Sequence, residues 1–188
     1  MNIFTQYNKP ISIEVVQHRH TLEYVGQPYL DRGECARQIL SKSHQPHITQ
    51  FEHEDTDPGG RFFSEKTLTA WVNTKDRTAL PRIDRENKEL TGITWFRPAA
   101  GENPFNREMD VTFGIRMFEG YVGKGQAESY ARASHFICAL FAPVESGFWL
   151  SYKKGNHAAR RLYDKLGYHY DGEIDNTVFM SKPLEVVL

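Results

Sequence analysis

The sequence predicts a single mixed α/β (α+β) domain with a central, twisted mixed sheet flanked by helices. Three observations lead there. Apolar runs of strand length and of helix length are mixed along the chain, with several strands consecutive. A glycine-rich loop separates a strand from the strongest helix. The length, 188 residues, suits one domain able to bury a sizeable core.

Composition supports a globular chain. Three Trp, nine Tyr and twelve Phe supply large anchors, which excludes overall disorder. The formal net charge of −1 argues against a general nucleic-acid binder. The two cysteines, Cys35 and Cys138, are far apart and outside metal-ligand spacing, so reduced thiols are expected. The apolar run around Phe136 to Phe141 falls far short of the ~20 residues of a membrane helix. The first ten residues lack a signal-peptide pattern. The expectation is a cytoplasmic protein with no membrane partner.

Residues 11–17 (ISIEVVQ) form the first predicted strand, rich in β-branched side chains. Residues 29–41 read as a helix, with Leu30, Cys35 or Ala36, Ile39 and Leu40 at helical spacing. The polar stretch that follows, with its Pro58-Gly59-Gly60 turn signal, reads as a long surface loop over 44–63. Ser64 is a candidate N-cap for a helix with Leu68, Trp71 and Val72 on its apolar face, ending near Asp76.

Strands are predicted at 78–84, 89–96 and 110–117. Residues 126–141 carry Ala127, Tyr130, Ala131, Ser134, Ile137, Cys138 and Phe141 at three- and four-residue steps, a helix with one apolar side. A strand follows at 147–152, then a helix over 156–166 stopped by Gly167, the residue that a left-handed C-terminal cap favours. Strands at 168–172 and 177–181 close the chain across a turn at 173–176.

The loop Gly120-Tyr121-Val122-Gly123-Lys124-Gly125-Gln126-Ala127 leads into the 126–141 helix. Glycines let a loop present consecutive backbone N–H groups. A helix N-terminus adds further N–H groups and the positive end of the helix dipole. Together they suit a pyrophosphate. The spacing is Gly-x-x-Gly-x-Gly, so it is neither a Walker loop nor a dinucleotide fingerprint.

Downstream, Asn156-x-x-Ala159-x-x-Leu162-Tyr163-Asp164-Lys165-Leu166-Gly167-Tyr168 follows a strand. Loop and helix in this order resemble the GNAT superfamily of acetyl-CoA-dependent N-acetyltransferases. That pattern is a Gln/Arg-x-x-Gly-x-Gly/Ala loop, a helix, a strand, then Asn-x-x-Ala-x-x-Leu-Tyr-x-Lys-Leu-Gly-Phe. The match covers residues 89–181; the first 87 match only in element order. Gly120 and Val122 depart from the Gln or Arg and the basic residue usual at those positions, so side-chain contacts to pyrophosphate must come from elsewhere, with Lys124 one candidate.

The resemblance implies acetyl-CoA as co-substrate and a primary amine as acceptor. It implies a cofactor site of Ile115 and Met117 on the preceding strand, then Gly120, Val122, Gly123, Lys124, Gly125, Gln126 and Ala127, with Asn156 bonding the pantetheine arm. It implies Tyr163 as proton donor to the leaving thiolate. An acid is common on the preceding strand, and Asp110 is nominated for it.

Spacing adds geometry. Asn156 and Tyr163 are seven residues apart, so they share a helix side about 10 Å apart. Arg160 lies near that side and is a further candidate for binding the cofactor, and Ala159, Leu162 and Leu166 form the adjacent apolar stripe. An amine attacking a thioester creates an oxyanion and then a thiolate, which a phenol can protonate.

The histidines His18, His20, His44, His47 and His53 lack a full metal-ligand set, and no metal is expected. Glu52, Glu54, Asp55 and Asp57 make an acidic segment that could attract a cationic amine. A small cationic amine and a protein N-terminus or lysine both remain open as acceptors. So does a non-catalytic acyl-CoA sensor, and a homodimer is possible.

Overall fold

The computed structural model describes residues 2–3, 11–12, 32–72, 77–84, 86–99, 101–141 and 144–184. In chain order these form β1 (Asn2–Ile3), β2 (Ile11–Ser12), α1 (Arg32–Ser43), α2 (Pro46–Glu52), a 3-10 turn (His53–Asp55) and α3 (Glu65–Val72). Then follow β3 (Thr78–Ile83), β4 (Leu90–Pro98), β5 (Val111–Met117), α4 (Gln126–Phe141), β6 (Gly147–Lys153), α5 (His157–Leu166), β7 (His169–Ile174) and β8 (Thr177–Pro183). The strand expected at 11–17 and the helix ends expected at 29–31 and 73–76 lie wholly or partly outside the described residues.

β1 and β2 pair antiparallel, and the other six strands form one mixed sheet in the order β3-β4-β5-β6-β8-β7. The mixed α/β class expected from the sequence is present. β5 and β6 run parallel, as a strand–helix–strand crossover through α4 requires. β8 pairs antiparallel with both β6 and β7.

One expectation is corrected. The segment 44–63 is not all loop, because it contains α2 and the 3-10 turn. Pro46 opens α2, where a missing N–H costs nothing, and Ile48 is its buried residue. The α3 N-cap is at Ser64: its hydroxyl accepts the Thr67 N–H at 3.3 Å, and Thr67 Oγ1 accepts the Ser64 N–H at 2.9 Å.

The contacts divide the chain into two compact units, Met1–Ile93 with Arg116–Tyr121, and Thr94–Ile115 with Val122–Leu188. In the first unit Cys35, Ile39, Phe62, Leu68, Leu80 and Leu90 are buried. Arg116 is buried there as well. It bonds Glu52 of α2, Asp55 of the 3-10 turn at 2.6 Å and Ser43 of α1 at 3.4 Å. Its guanidinium lies 4.4 Å from the centre of the Phe62 ring.

In the second unit, alternation along β6 separates two faces. Phe148 and Tyr152 point to the face that carries α4 and α5: Phe148 meets His135 of α4 at 4.7 Å, and Tyr152 meets Tyr163 of α5 at 5.7 Å between ring centres. Trp149 points the other way, against Ala99, Met109 and Phe179. The same side carries a polar clasp. Asn103 Nδ2 donates to Asp171 at 2.9 Å, Ser181 Oγ donates to Asp171 at 2.8 Å, and Asn106 Nδ2 donates to Ser181 at 3.0 Å. Asp171 sits where the β7–β8 register shifts between Tyr170 and Gly172.

Candidate functional site

The β5–β6 ladder is short. Among the described residues its register covers Val111 with Phe148 and Thr112 with Trp149. Beyond them Phe113–Ile115 and Leu150–Tyr152 are not paired with each other, although all are strand. Neighbouring parallel strands that part company leave edge N–H and C=O groups that a polar, extended ligand can bond.

The glycine loop follows β5. Gly120, Gly123 and Gly125 have φ of 82°, 76° and 72°, a region that other L-residues rarely adopt. A Cβ built on any of the three meets nothing within 4 Å. Glycine is needed here for backbone conformation, and the space beside the loop is open. Val122 and Lys124 are exposed; Gln126 and Ala127 open α4 and are half-buried. The first turn of α4 supplies N–H groups that lack an intrahelical acceptor. Loop residues 122–125 and the start of α4, within the second unit, are thus the kind of glycine-rich helix N-terminus that suits an anion.

The α5 residues occupy that same unit. Asn156 is the N-cap: its Oδ1 accepts the Ala159 N–H at 3.0 Å. The side-chain amide Nδ2 is the group left to donate to a ligand. Arg160 is exposed and lies 3.7 Å from Asp164, a loose surface pair. Gly167 ends the helix with φ 83°. There the Tyr168 N–H bonds the Tyr163 carbonyl at 3.0 Å.

Tyr163 lies within the apolar side of α5 rather than beside it, with 6% of its surface exposed. Its ring is held between Tyr152 and Tyr168, at 5.7 and 5.8 Å between centres. It therefore packs the core at the same time as any chemical task it has. Tyr152 was not picked out by sequence spacing; its hydroxyl is buried with no hydrogen-bond partner among the described residues.

Asp110 stands elsewhere. It precedes β5, at the strand end opposite the glycine loop. Its carboxylate accepts the N–H groups of Glu145 at 2.6 Å, Ser146 at 3.3 Å and Gly147 at 3.0 Å. Burial pushes its pKa up, but those backbone bonds outweigh it and hold the carboxyl below its ordinary 3.8. A carboxylate so stabilised is a weak base. The carboxylate of Asp110 is thus engaged in fixing the turn into β6.

On the first unit's part of β5, the Met117 carbonyl accepts the Nε2–H of His47 at 3.1 Å, while Ile115 on the second unit's part is half-buried. The acidic segment is largely neutralised: Asp55 bonds Arg61 and Arg116, and Glu52 bonds Arg116 and lies 3.7 Å from Arg61. Glu54 and Asp57 are exposed. Sequence spacing gave no sign of Arg116, since its partners are over sixty positions upstream. His18 and His20 lie outside the described residues. Among the described residues no group of three or more His, Cys, Asp or Glu could hold a metal, and no helix is long and apolar enough to cross a membrane.

No protein-family model matches the sequence, and no characterised protein matches it by sequence. Solved structures do match by shape. A ribosomal-protein-S5-alanine acetyltransferase from Vibrio fischeri is similar with a TM-score of 0.64 at 14% identity, over 84% of this chain and 92% of that one. The spermidine N-acetyltransferase of Vibrio cholerae, in complex with CoA and spermine, gives 0.62 at 18% identity, over 82% and 92%. An aminoglycoside N(6')acetyltransferase from Legionella pneumophila gives 0.60 at 20% identity, over 82% and 88%. At such identities the likeness speaks for architecture. Taken with the sheet order and the crossover through α4, it shows that this chain has the GNAT fold.

Proposed function

We propose that the protein is an acetyl-CoA-dependent N-acetyltransferase acting on a primary amine. The observation that carries this is the loop ending in Gly123 and Gly125. It is left-handed, open on its outer side and continuous with the α4 N-terminus.

The pyrophosphate of acetyl-CoA would lie on the backbone N–H groups of residues 123–127, with Lys124 exposed beside them. The pantetheine arm would bond the parted strands at Ile115 on β5, and the Asn156 amide. The acceptor nitrogen attacks the thioester carbonyl carbon, the carbonyl oxygen takes up the electron pair, and its return expels the thiolate. The Tyr163 phenol gives its proton to that sulfur, and the amine's proton passes to solvent. Tyr163 sits on α5 seven residues after Asn156, so one helix would fix both pantetheine and proton donor.

Similarity to polyamine, aminoglycoside and ribosomal-protein acetyltransferases supports an amine acceptor, either a small cation or a protein amine. With Glu52 and Asp55 committed to arginines, the acidic attraction of the 52–57 segment is much reduced.

The test is thiol release from acetyl-CoA with spermine, an aminoglycoside and a peptide α-amine as acceptors, beside a thermal melt with CoA. At a hundredfold excess over Kd, CoA should stabilise the fold by about 2.7 kcal/mol. A melt unmoved by millimolar CoA would sink the proposal. Binding without release on any amine would mark an acyl-CoA sensor instead.

A further inference from the structure

The helix side of the second unit holds an imidazole inside a box of aromatic rings. His135 of α4 lies 4.2 Å from Phe113, 4.7 Å from Phe148 and 5.7 Å from Phe96 between ring centres. Both its nitrogens are engaged. Nδ1 faces the Ala131 carbonyl at 2.7 Å, and a carbonyl can only accept, so the proton is on Nδ1. Nε2 is then an acceptor, and the Tyr168 hydroxyl donates to it at 2.7 Å.

The pair keeps this arrangement across the working pH range. Burial pushes His135 down to about 4, against the upward pull of its Ala131 bond, so the ring stays neutral. Burial also pushes the Tyr168 phenol well above 10, helped by Tyr163 and then Cys138 nearby. Tyr168 therefore remains a neutral donor with one fixed acceptor.

Tyr168 also touches Tyr163 twice, through the helix-capping bond from its N–H and through its ring, at 5.8 Å and 58°. A hydroxyl held at the far end of the Tyr168 ring anchors where that end sits, and with it the ring's position and tilt. That ring is a wall against which Tyr163 packs.

We propose that the His135–Tyr168 hydrogen bond positions Tyr163, making Tyr168 a positioning residue for proton delivery to the CoA sulfur. This rests on the reading of Tyr163 as that proton donor. An error of about an ångström in placing a reacting group can cost up to a hundredfold, so a small loosening of the wall should be measurable.

CoA itself is the probe. The thiol pKa of bound CoA is read from thiolate absorbance, as the difference between titrations with and without CoA. A donor to the thiolate favours the charged form, so Tyr163→Phe should weaken the thiol's acidity about tenfold. Tyr168→Phe should weaken it by about threefold in the natural background and leave it unchanged in the Tyr163→Phe background, the signature of two residues acting through one contact. His135→Leu should match Tyr168→Phe, while His135→Gln, which keeps one donor and one acceptor, should restore most of the acidity. The His135 variants serve if Tyr168→Phe does not fold.

An effect of Tyr163→Phe with none from Tyr168→Phe or His135→Leu overturns the positioning proposal alone. Equal effects of Tyr168→Phe in both backgrounds overturn it too, since a general structural role acts regardless of Tyr163. A silent Tyr163→Phe removes the underlying reading, and this proposal goes with it.

Discussion

Arg116 donates to Asp55 at 2.6 Å from a position where 4% of its own side chain reaches solvent. A buried guanidinium needs its carboxylates, because the unpaired charge is costly to keep out of water. Here the partners come from two successive elements, α2 and the 3-10 turn, so one side chain of β5 holds both in place. Replacing Arg116 with Met should destabilise the protein by about 3 kcal/mol, the lower end for a broken buried pair, since Arg61 still holds Asp55. Urea unfolding measures it. Arg116→Lys should recover little, because one ammonium cannot reach two carboxylates and a hydroxyl as the planar fork does.

Asp55 predicts an acid dependence. Burial raises its pKa, but Arg61 and then Arg116 outweigh that and hold it below 3.8. The folded value lies below the unfolded one, so the stabilisation is complete above 3.8 and fades as pH falls through the folded value. The stability gap between the natural protein and Asp55→Asn should be constant from neutral pH to about 5 and shrink below about 4. A gap that persists in strong acid would contradict the assignment.

Asp110→Asn separates fixing a turn from catalysis. Losing the charge on an acceptor of three backbone N–H groups should cost about 1–3 kcal/mol. Turnover should stay within about twofold once the sample is fully folded, against the 10²–10⁴ expected from loss of a general base. A large fall in kcat at unchanged folded fraction would return Asp110 to the mechanism.

The glycines can be tested against an internal control. Gly101 has φ 80° and, like Gly123 and Gly125, open space where a Cβ would go, but it lies in the loop between β4 and β5. Alanine at any of the three should cost about 1–2 kcal/mol through backbone strain. At Gly123 and Gly125 it should also weaken CoA binding, by calorimetry, tenfold or more; at Gly101 CoA affinity should be unchanged.

Tyr163 is both buried and proposed to be reactive, which gives two separable outcomes. Tyr163→Phe keeps the ring between Tyr152 and Tyr168, so melting should move little while kcat falls by about 10²–10⁴. Tyr163→Ala should also lose about 3–5 kcal/mol of stability by emptying that space. Equal kcat for Tyr and Phe on a substrate whose chemistry limits turnover would leave solvent as the proton source.

What the sequence disclosed follows from where the signals were local. The α4 pattern marks Gln126 to Phe141 because its apolar residues recur at helical steps, and Gly167 marks the end of α5 because a left-handed cap favours glycine. α2 was hidden because Pro-His-Ile-Thr-Gln-Phe-Glu buries one residue, Ile48, and shows no apolar stripe. Asp110 and Arg116 could not be read because their partners are distant in sequence, as are the three N–H groups from 145 to 147. Residue spacing sets Tyr163 beside the apolar stripe, and the rings of Tyr152 and Tyr168 show that it belongs within it.

The irregular step at Asp171 bears on how the protein behaves when concentrated. Among the described residues β7 is an outer strand of the sheet, and an outer strand offers its backbone rim to any passing chain. Here that rim is broken, because one residue is inserted between Tyr170 and Gly172. Asp171 is anchored by Asn103 and Ser181, so the break cannot slide along the strand. Exposed Tyr170 and Ile174 would otherwise make this margin adhesive. A straight incoming strand would find its hydrogen bonds out of step there, which works against edge-to-edge pairing of copies along β7.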